Sequence, residues 1–286
     1  MIEFKQATKK YGDKVALNNL NLTIESGEIV GLIGHNGAGK STTIKSLVSI
    51  LPLTSGTIEV DGVPLSQDPL TIKRKIGYVA DSPDLFLRLT ANEFWELIAV
   101  SYQLTMNQIE ERLTYLLELF DFTPYRYDVI ESFSHGMRQK VFVIGALLSD
   151  PDIWILDEPL TGLDPQAAYD LKKMMREHAE KGKTVLFSTH VLEVAEQLCD
   201  RIAILKKGEL LFYGTIEELK ERKLQVTLNN IAEKLGVKTI DSIDVFDNSN
   251  IMGVDAVSVK VNFTNGKKNT YNYRKFYCGL QYKYPQ

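Results

Sequence analysis

The chain has 286 residues, 44% of them hydrophobic, and a net charge of −4, enough for one large or two small units with a real core. Its acidic balance offers no electrostatic footprint for nucleic acid. Two distant cysteines, Cys199 and Cys278, make neither a disulfide framework nor a metal-ligand spacing and fit a reducing compartment. No apolar run approaches the roughly 18 residues of a spanning helix, and Met1-Ile2-Glu3-Phe4-Lys5 lacks a basic-then-apolar signal pattern, so the cytosol is the expected setting.

Residues 1–30 alternate short strand-like pieces with turns at Lys10-Tyr11-Gly12-Asp13 and Glu25-Ser26-Gly27-Glu28. Glu28-Ile29-Val30-Gly31-Leu32-Ile33 reads as a buried strand. It runs into Gly34-His35-Asn36-Gly37-Ala38-Gly39-Lys40-Ser41, a complete GxxxxGKS phosphate loop, and Thr42 to Val48 continues as a helix. Thr57-Ile58-Glu59-Val60 predicts a strand ending in the Asp61-Gly62 turn, and Ile76-Gly77-Tyr78-Val79 a further core strand.

From about residue 85 the pattern becomes helical. The capping boxes Thr90-x-x-Glu93 and Thr105-x-x-Gln108 open two helices. Phe94, Leu97 and Ile98 share the first apolar face; Ile109, Leu113, Leu116, Leu117 and Phe120 share the second. Ser134-His135-Gly136-Met137-Arg138-Gln139 opens a third, with Val141, Ile144 and Leu148 on one face. Ile153-Trp154-Ile155-Leu156 reads as a central parallel strand. A helix near 165–180 precedes a strand from Thr184 to Ser188, a hairpin follows over 202–213, and Thr215-x-x-Glu218 caps one more helix. This alternation predicts an α/β fold with a helical insertion over about 83–148. Beyond residue 223 an Asn-rich appendage carries a predicted β-hairpin: Val257, Val259, Val261 and Phe263 alternate before Asn265-Gly266, with Tyr271 and Tyr273 after it.

The chemistry-bearing residues suit phosphoryl transfer. Backbone N–H groups of the glycine-rich loop form an anion nest at a helix start; Lys40 reaches the β- and γ-phosphates and Ser41 sits on Mg²⁺. Asp157 closes an apolar strand at the edge where nucleotides bind such sheets and can hold the metal. Side chains of adjacent residues diverge, so Glu158 faces the attacking water as general base. His190 ends a later strand and is either structural or a partner of the γ-phosphate or the water. Ser134 and Gly136 stand at a helix start, either as cap and spacer or as a second anion site.

Taken together, residues 1–222 resemble the nucleotide-binding cassette of ABC transporters, a P-loop core with an N-terminal antiparallel β subdomain and an inserted helical subdomain. The resemblance makes Gly34–Ser41 the Walker A loop, Ile153–Glu158 Walker B, and Phe133-Ser134-His135-Gly136-Met137 the signature. It makes Thr161-Gly162-Leu163-Asp164 the D-loop, His190 the switch histidine, and Tyr11 the ring that stacks on adenine. It implies ATP and Mg²⁺, a membrane permease on a separate chain, and a second cassette, identical or not, whose Walker A loop faces Ser134 and Gly136. Two departures stand out. Ala80-Asp81-Ser82-Pro83 replaces the Q-loop glutamine, leaving Asp81 to approach the metal, and His135 and Met137 replace a Gly and a Gln of the signature. These, with Leu85 to Thr90, resemble cassettes of drug, peptide and bacteriocin exporters at the cytoplasmic face of a bacterial membrane. A soluble cassette acting on DNA or ribosomes is the alternative. It is disfavoured by the acidic balance, the single cassette and the short stretch between Lys40 and Ser134; Glu158 and His190 disfavour a non-hydrolysing regulatory cassette.

Overall fold

The computed structural model describes residues 1–81, 86–235, 242–249, 256–264, 267–268 and 274–278. The chain divides into two compact units, Met1–Ile216 and Glu217–Gln286. The first opens with β1 (Ile2–Tyr11) and β2 (Lys14–Ile24), two long antiparallel strands where short pieces were expected. Register shifts break their pairing at three points, and such bulges let a long pair bend over a core instead of ending.

β3 (Ile29–Ile33) is buried along its whole length and leads through the phosphate loop to α1 (Lys40–Leu47). β4 (Ser55–Val60) and β5 (Val63–Pro64) flank Asp61 and Gly62, both at positive φ, the backbone of a two-residue hairpin turn. α2 (Pro69–Arg74) and β6 (Ile76–Val79) follow. The insertion holds α3 (Ala91–Ser101), α4 (Met106–Leu119) and α5 (His135–Leu148). Both capping boxes form as read. Leu97, placed by spacing on the apolar face, is exposed, whereas Phe94 and Trp95 are buried; the Trp95 indole donates to the Val141 carbonyl at 2.9 Å, which turns α3 to seat Trp95 rather than Leu97.

β7 (Ile153–Leu156), α6 (Pro165–Glu180), β8 (Thr184–Thr189), α7 (Leu192–Leu198), β9 (Arg201–Lys206) and β10 (Glu209–Gly214) complete the unit. The main sheet runs β10-β9-β3-β8-β7-β6. All its pairs are parallel except β10 with β9. A second sheet runs β2-β1-β4-β5. The α/β class with an antiparallel N-terminal sheet therefore holds. Period-two alternation divides the main sheet's side chains between two cores. Trp154, Leu156, Val185 and Phe187 pack with the inserted helices, and Ile153, Ile155 and Leu186 with α1 and the antiparallel sheet. Burial on both faces explains why these strands read as unbroken apolar runs.

α8 (Ile216–Leu235) begins at the unit boundary. In the second unit β11 (Ser242–Ser249), β12 (Ala256–Thr264), β13 (Lys267–Lys268) and β14 (Arg274–Cys278) form an antiparallel sheet in which β12 pairs with each of the others. β11 was not among the expected elements. The turn pair Asn265-Gly266 and the tyrosines Tyr271 and Tyr273 lie outside the described residues.

Candidate nucleotide site

Parallel pairing brings four chemistry-bearing segments to one edge of the sheet. Ile33 is level with Thr189, Leu156 with Phe187 and Val79 with Leu156. The chain therefore leaves β3 into the phosphate loop, β7 into Asp157, β8 into His190 and β6 toward Asp81, all at the carboxyl ends where such sheets bind nucleotides.

The loop's conformation depends on glycine at two positions. Gly37 has φ 79° and Gly39 φ 112°, values that L side chains rarely adopt. Gly39 is also the N-cap of α1 and offers no side chain to the helix's first N–H groups, leaving them available to an anion. His35, Asn36 and Gly37 are exposed, Gly34, Ser41 and Thr42 half-buried, and Ala38 and Gly39 buried. Lys40 is 6% exposed, and its ammonium donates to the Gly34 carbonyl at 2.7 Å. The Thr43 hydroxyl ties α1 back to Gly39.

The ammonium of Lys40 also lies 3.2 Å from Glu158 Oε1, while Glu158 Oε2 lies 3.0 Å from His190 Nδ1. Both carboxylate oxygens of Glu158 are thus engaged, one by the loop lysine and one by a histidine that is itself exposed. Glu158 has φ 49°, a left-handed backbone that costs a non-glycine residue about 1–2 kcal/mol. The Ser188 hydroxyl supports this turn: it accepts from the Glu158 N–H at 2.9 Å and donates to Asp157 Oδ1 at 2.6 Å. Ser188 escaped the sequence reading; a hydroxyl within the apolar run of β8 was its only signal.

Asp157 is completely buried, and its Oδ2 has no hydrogen-bond partner among the described residues. A buried carboxylate oxygen with no donor is costly, and it fits a site that a cation completes. Among the described residues no three or more His, Cys, Asp or Glu gather as a metal cluster. A single buried carboxylate oxygen is the kind of protein ligand that suits Mg²⁺, which takes few carboxylates when substrate phosphates supply further oxygens. Asp81 lies in the same field: partial burial and the negative charges of Asp157 and Glu158 hold its carboxyl above the ordinary range, with Lys45 and His135 opposing. Ser82, Pro83 and Leu85 lie outside the described residues.

The remaining site residues sit elsewhere on the unit. Ser134 caps α5, its hydroxyl accepting from the Met137 N–H at 3.3 Å while its own proton stays available to donate. Gly136 lacks a side chain for an intramolecular reason: a Cβ there would come 2.8 Å from the Gly162 carbonyl oxygen. Gly162 in turn, at φ 77°, leaves room for the His135 ring, which is how the chain accommodates a histidine in that position. Asp164 caps α6 through the Ala167 N–H at 2.8 Å, and this bond holds its carboxyl below the usual range. Tyr11, at the end of β1, is exposed.

A glycine-rich loop at a helix start, with a metal-type aspartate and a following glutamate at the next strand but one, defines a P-loop nucleotide-binding ATPase cassette. The family model for ABC transporters matches residues 17–161, and the chain belongs to the ATP-binding subunits of that family. It is 39% identical over 222 residues to the ABC-type transporter ATP-binding protein EcsA of Bacillus subtilis, covering 78% of this chain and 90% of the relative. It is 34% identical over 223 residues to the Nod factor export ATP-binding protein I of Rhizobium meliloti, covering 78% and 67%. Among solved structures, an ATP-binding subunit of an ABC transporter superposes with TM-score 0.72 at 35% identity, covering 83% of this chain and 94% of that one. A dimeric cassette in a post-hydrolysis state, bound to ADP and Pi, gives TM-score 0.68 at 30% identity, covering 76% and 99%. A second family model, the UvrC RNAse H endonuclease domain, matches residues 232–283, all within the second unit. Among the described residues no helix is long and apolar enough to cross a membrane.

Proposed function

We propose that this chain hydrolyses ATP to ADP and phosphate as the energising subunit of an exporter, at the cytoplasmic face of a bacterial membrane. The observation that carries the reading is the line of contacts from Lys40 through Glu158 to His190, beside the unpartnered oxygen of Asp157. The anion nest of residues 34–42 holds the triphosphate, and Tyr11 receives the base. When phosphate oxygens take up the Lys40 ammonium, Glu158 Oε1 is released from its ion pair and accepts the proton of the attacking water. His190 orients that water or donates to the γ-phosphate. Ser41, Asp157 and Asp81 would hold Mg²⁺, which supplies neutralisation of the phosphate charge.

Ser134, Gly136 and Asp164 serve a second cassette, identical or different. The dimeric relative bound to ADP and Pi supports such pairing, and ATP favours the closed pair because only there are both sets of phosphate contacts made. Export rests on the relative named for Nod factor export. A separate permease chain is supported by a cassette described as part of the transporter complex cbiONQ, 26% identical with TM-score 0.66. None of the residues that carry this reading lies within the UvrC-type match. Mild-detergent purification from the native host tests the assignment: an integral membrane protein should co-purify, and recovery of ribosomes or DNA instead would contradict it.

A further inference from the structure

The loop that follows α1 is laced to the end of β1. The Thr54 N–H donates to the Thr8 carbonyl at 2.8 Å, the Lys10 N–H to the Thr54 hydroxyl at 3.0 Å, and the Lys9 ammonium to the Pro52 carbonyl at 2.6 Å. That last bond fixes a long, otherwise flexible side chain, and it fixes it in a particular place. The Lys9 ammonium lies 5.2 Å from the centroid of the Tyr11 ring, over its face. Tyr11 itself is 46% exposed, so much of the ring is open to a ligand.

We propose that Lys9 is a positioning residue for the nucleobase: anchored on the Pro52 carbonyl, it occupies one face of the Tyr11 ring and leaves the opposite face for a purine. This rests on the reading of Tyr11 as the base-stacking residue. Two physical effects follow. An ammonium over one face restricts the ring's rotation about its side-chain bonds, so less freedom is lost when a base stacks. The ammonium also draws on the electron density of the ring, which makes the free face a better partner for an electron-rich purine. Because Pro52 lies on the chain leaving α1, the same bond ties the ring's position to the helix that receives the phosphates.

The test uses the full-length protein, with dissociation constants for Mg-ATP and for Mg-tripolyphosphate, which has the phosphates but no base. Lys9→Met keeps the stem and removes the charge; it should weaken ATP about two- to tenfold, the scale of ordering one side chain on binding, and leave tripolyphosphate unchanged. Lys9→Arg should restore ATP affinity, and in a Tyr11→Leu background Lys9→Met should change nothing further. An unaltered ATP constant in Lys9→Met, an equal loss for tripolyphosphate, or a loss persisting in the Tyr11→Leu background would overturn the proposal. If Tyr11→Leu alone leaves ATP binding unchanged, the base-stacking reading falls and this inference with it. If Tyr11→Leu weakens ATP while Lys9→Met is silent, only the inference falls.

Discussion

Replacing Ser188 with Ala should damage both stability and turnover, because one hydroxyl holds two groups of the site at once. It donates to Asp157 Oδ1 at 2.6 Å and accepts from the Glu158 N–H at 2.9 Å, and both Ser188 and Asp157 are 0% exposed. A hydrogen bond to a charged group contributes about 1.5–3 kcal/mol, and a buried peptide N–H left without a partner costs about 1–3 kcal/mol. The aspartate is already missing a donor on Oδ2. The two losses together come to about 2.5–6 kcal/mol, a large part of a domain's typical 5–15 kcal/mol. Urea unfolding analysed by linear extrapolation reads the stability term. Turnover should fall about 10- to 100-fold, since Glu158 stands at φ 49° and an ångström of misplacement at a reacting group can cost about a hundredfold. A stability loss below about 1 kcal/mol with kcat within about twofold of the parent would refute the claim that Ser188 sets the turn.

Three further expectations test other parts of the account. Lys40→Met should weaken Mg-ATP binding about 10- to 100-fold in a calorimetric titration, the loss of one charge-assisted contact; unchanged affinity would separate Lys40 from the phosphates. Gly136→Ala places a methyl against the Gly162 carbonyl oxygen at 2.8 Å and should cost about 1–3 kcal/mol by overpacking, seen as a lowered Tm; an unaltered Tm would show that the contact yields freely. His178 is buried in α6, and desolvation, with help from Lys183, lowers its pKa to about 4 from 6.5. The native state thus favours neutral His178. Its contribution is full above pH 6.5 and is lost as pH falls toward 4, about 3 kcal/mol over that window. His178→Gln should flatten the acid limb of the stability profile by that amount, and an identical acid limb in the variant would assign it to other groups.

Much of the fold was legible because its signals are local. A capping box spans four residues, and both Thr90-Glu93 and Thr105-Gln108 form as their spacing dictates. β6 and β7 coincide with the apolar runs at 76–79 and 153–156, since strands buried on both faces carry no polar alternation to blur their ends. The phosphate loop was readable for the same reason: positive φ at Gly37 and Gly39 is a requirement that sequence alone exposes. What was not legible depends on partners far along the chain. Ser188 acts on a carboxylate 31 positions away, and Lys40 meets Glu158 only because β3 and β7 both flank β8. The Gly136 and Gly162 approach joins the first turn of α5 to a loop ahead of α6, two places that look like ordinary punctuation. Leu97 failed because helical spacing gives the width of an apolar face but not its rotation, which the Trp95 hydrogen bond decides.

The central claim is that Glu158 takes the proton from water while Asp157 and the loop hold the triphosphate. Single-turnover hydrolysis of γ-labelled ATP by Glu158→Gln, with the ATP dissociation constant measured on the same sample, tests it most directly. The account predicts that phosphate release falls by about 100-fold or more, the scale of a lost general base, while ATP binds as tightly as before or tighter, because the Lys40 ammonium no longer has a carboxylate to leave. Hydrolysis at the parent rate in this variant would contradict it.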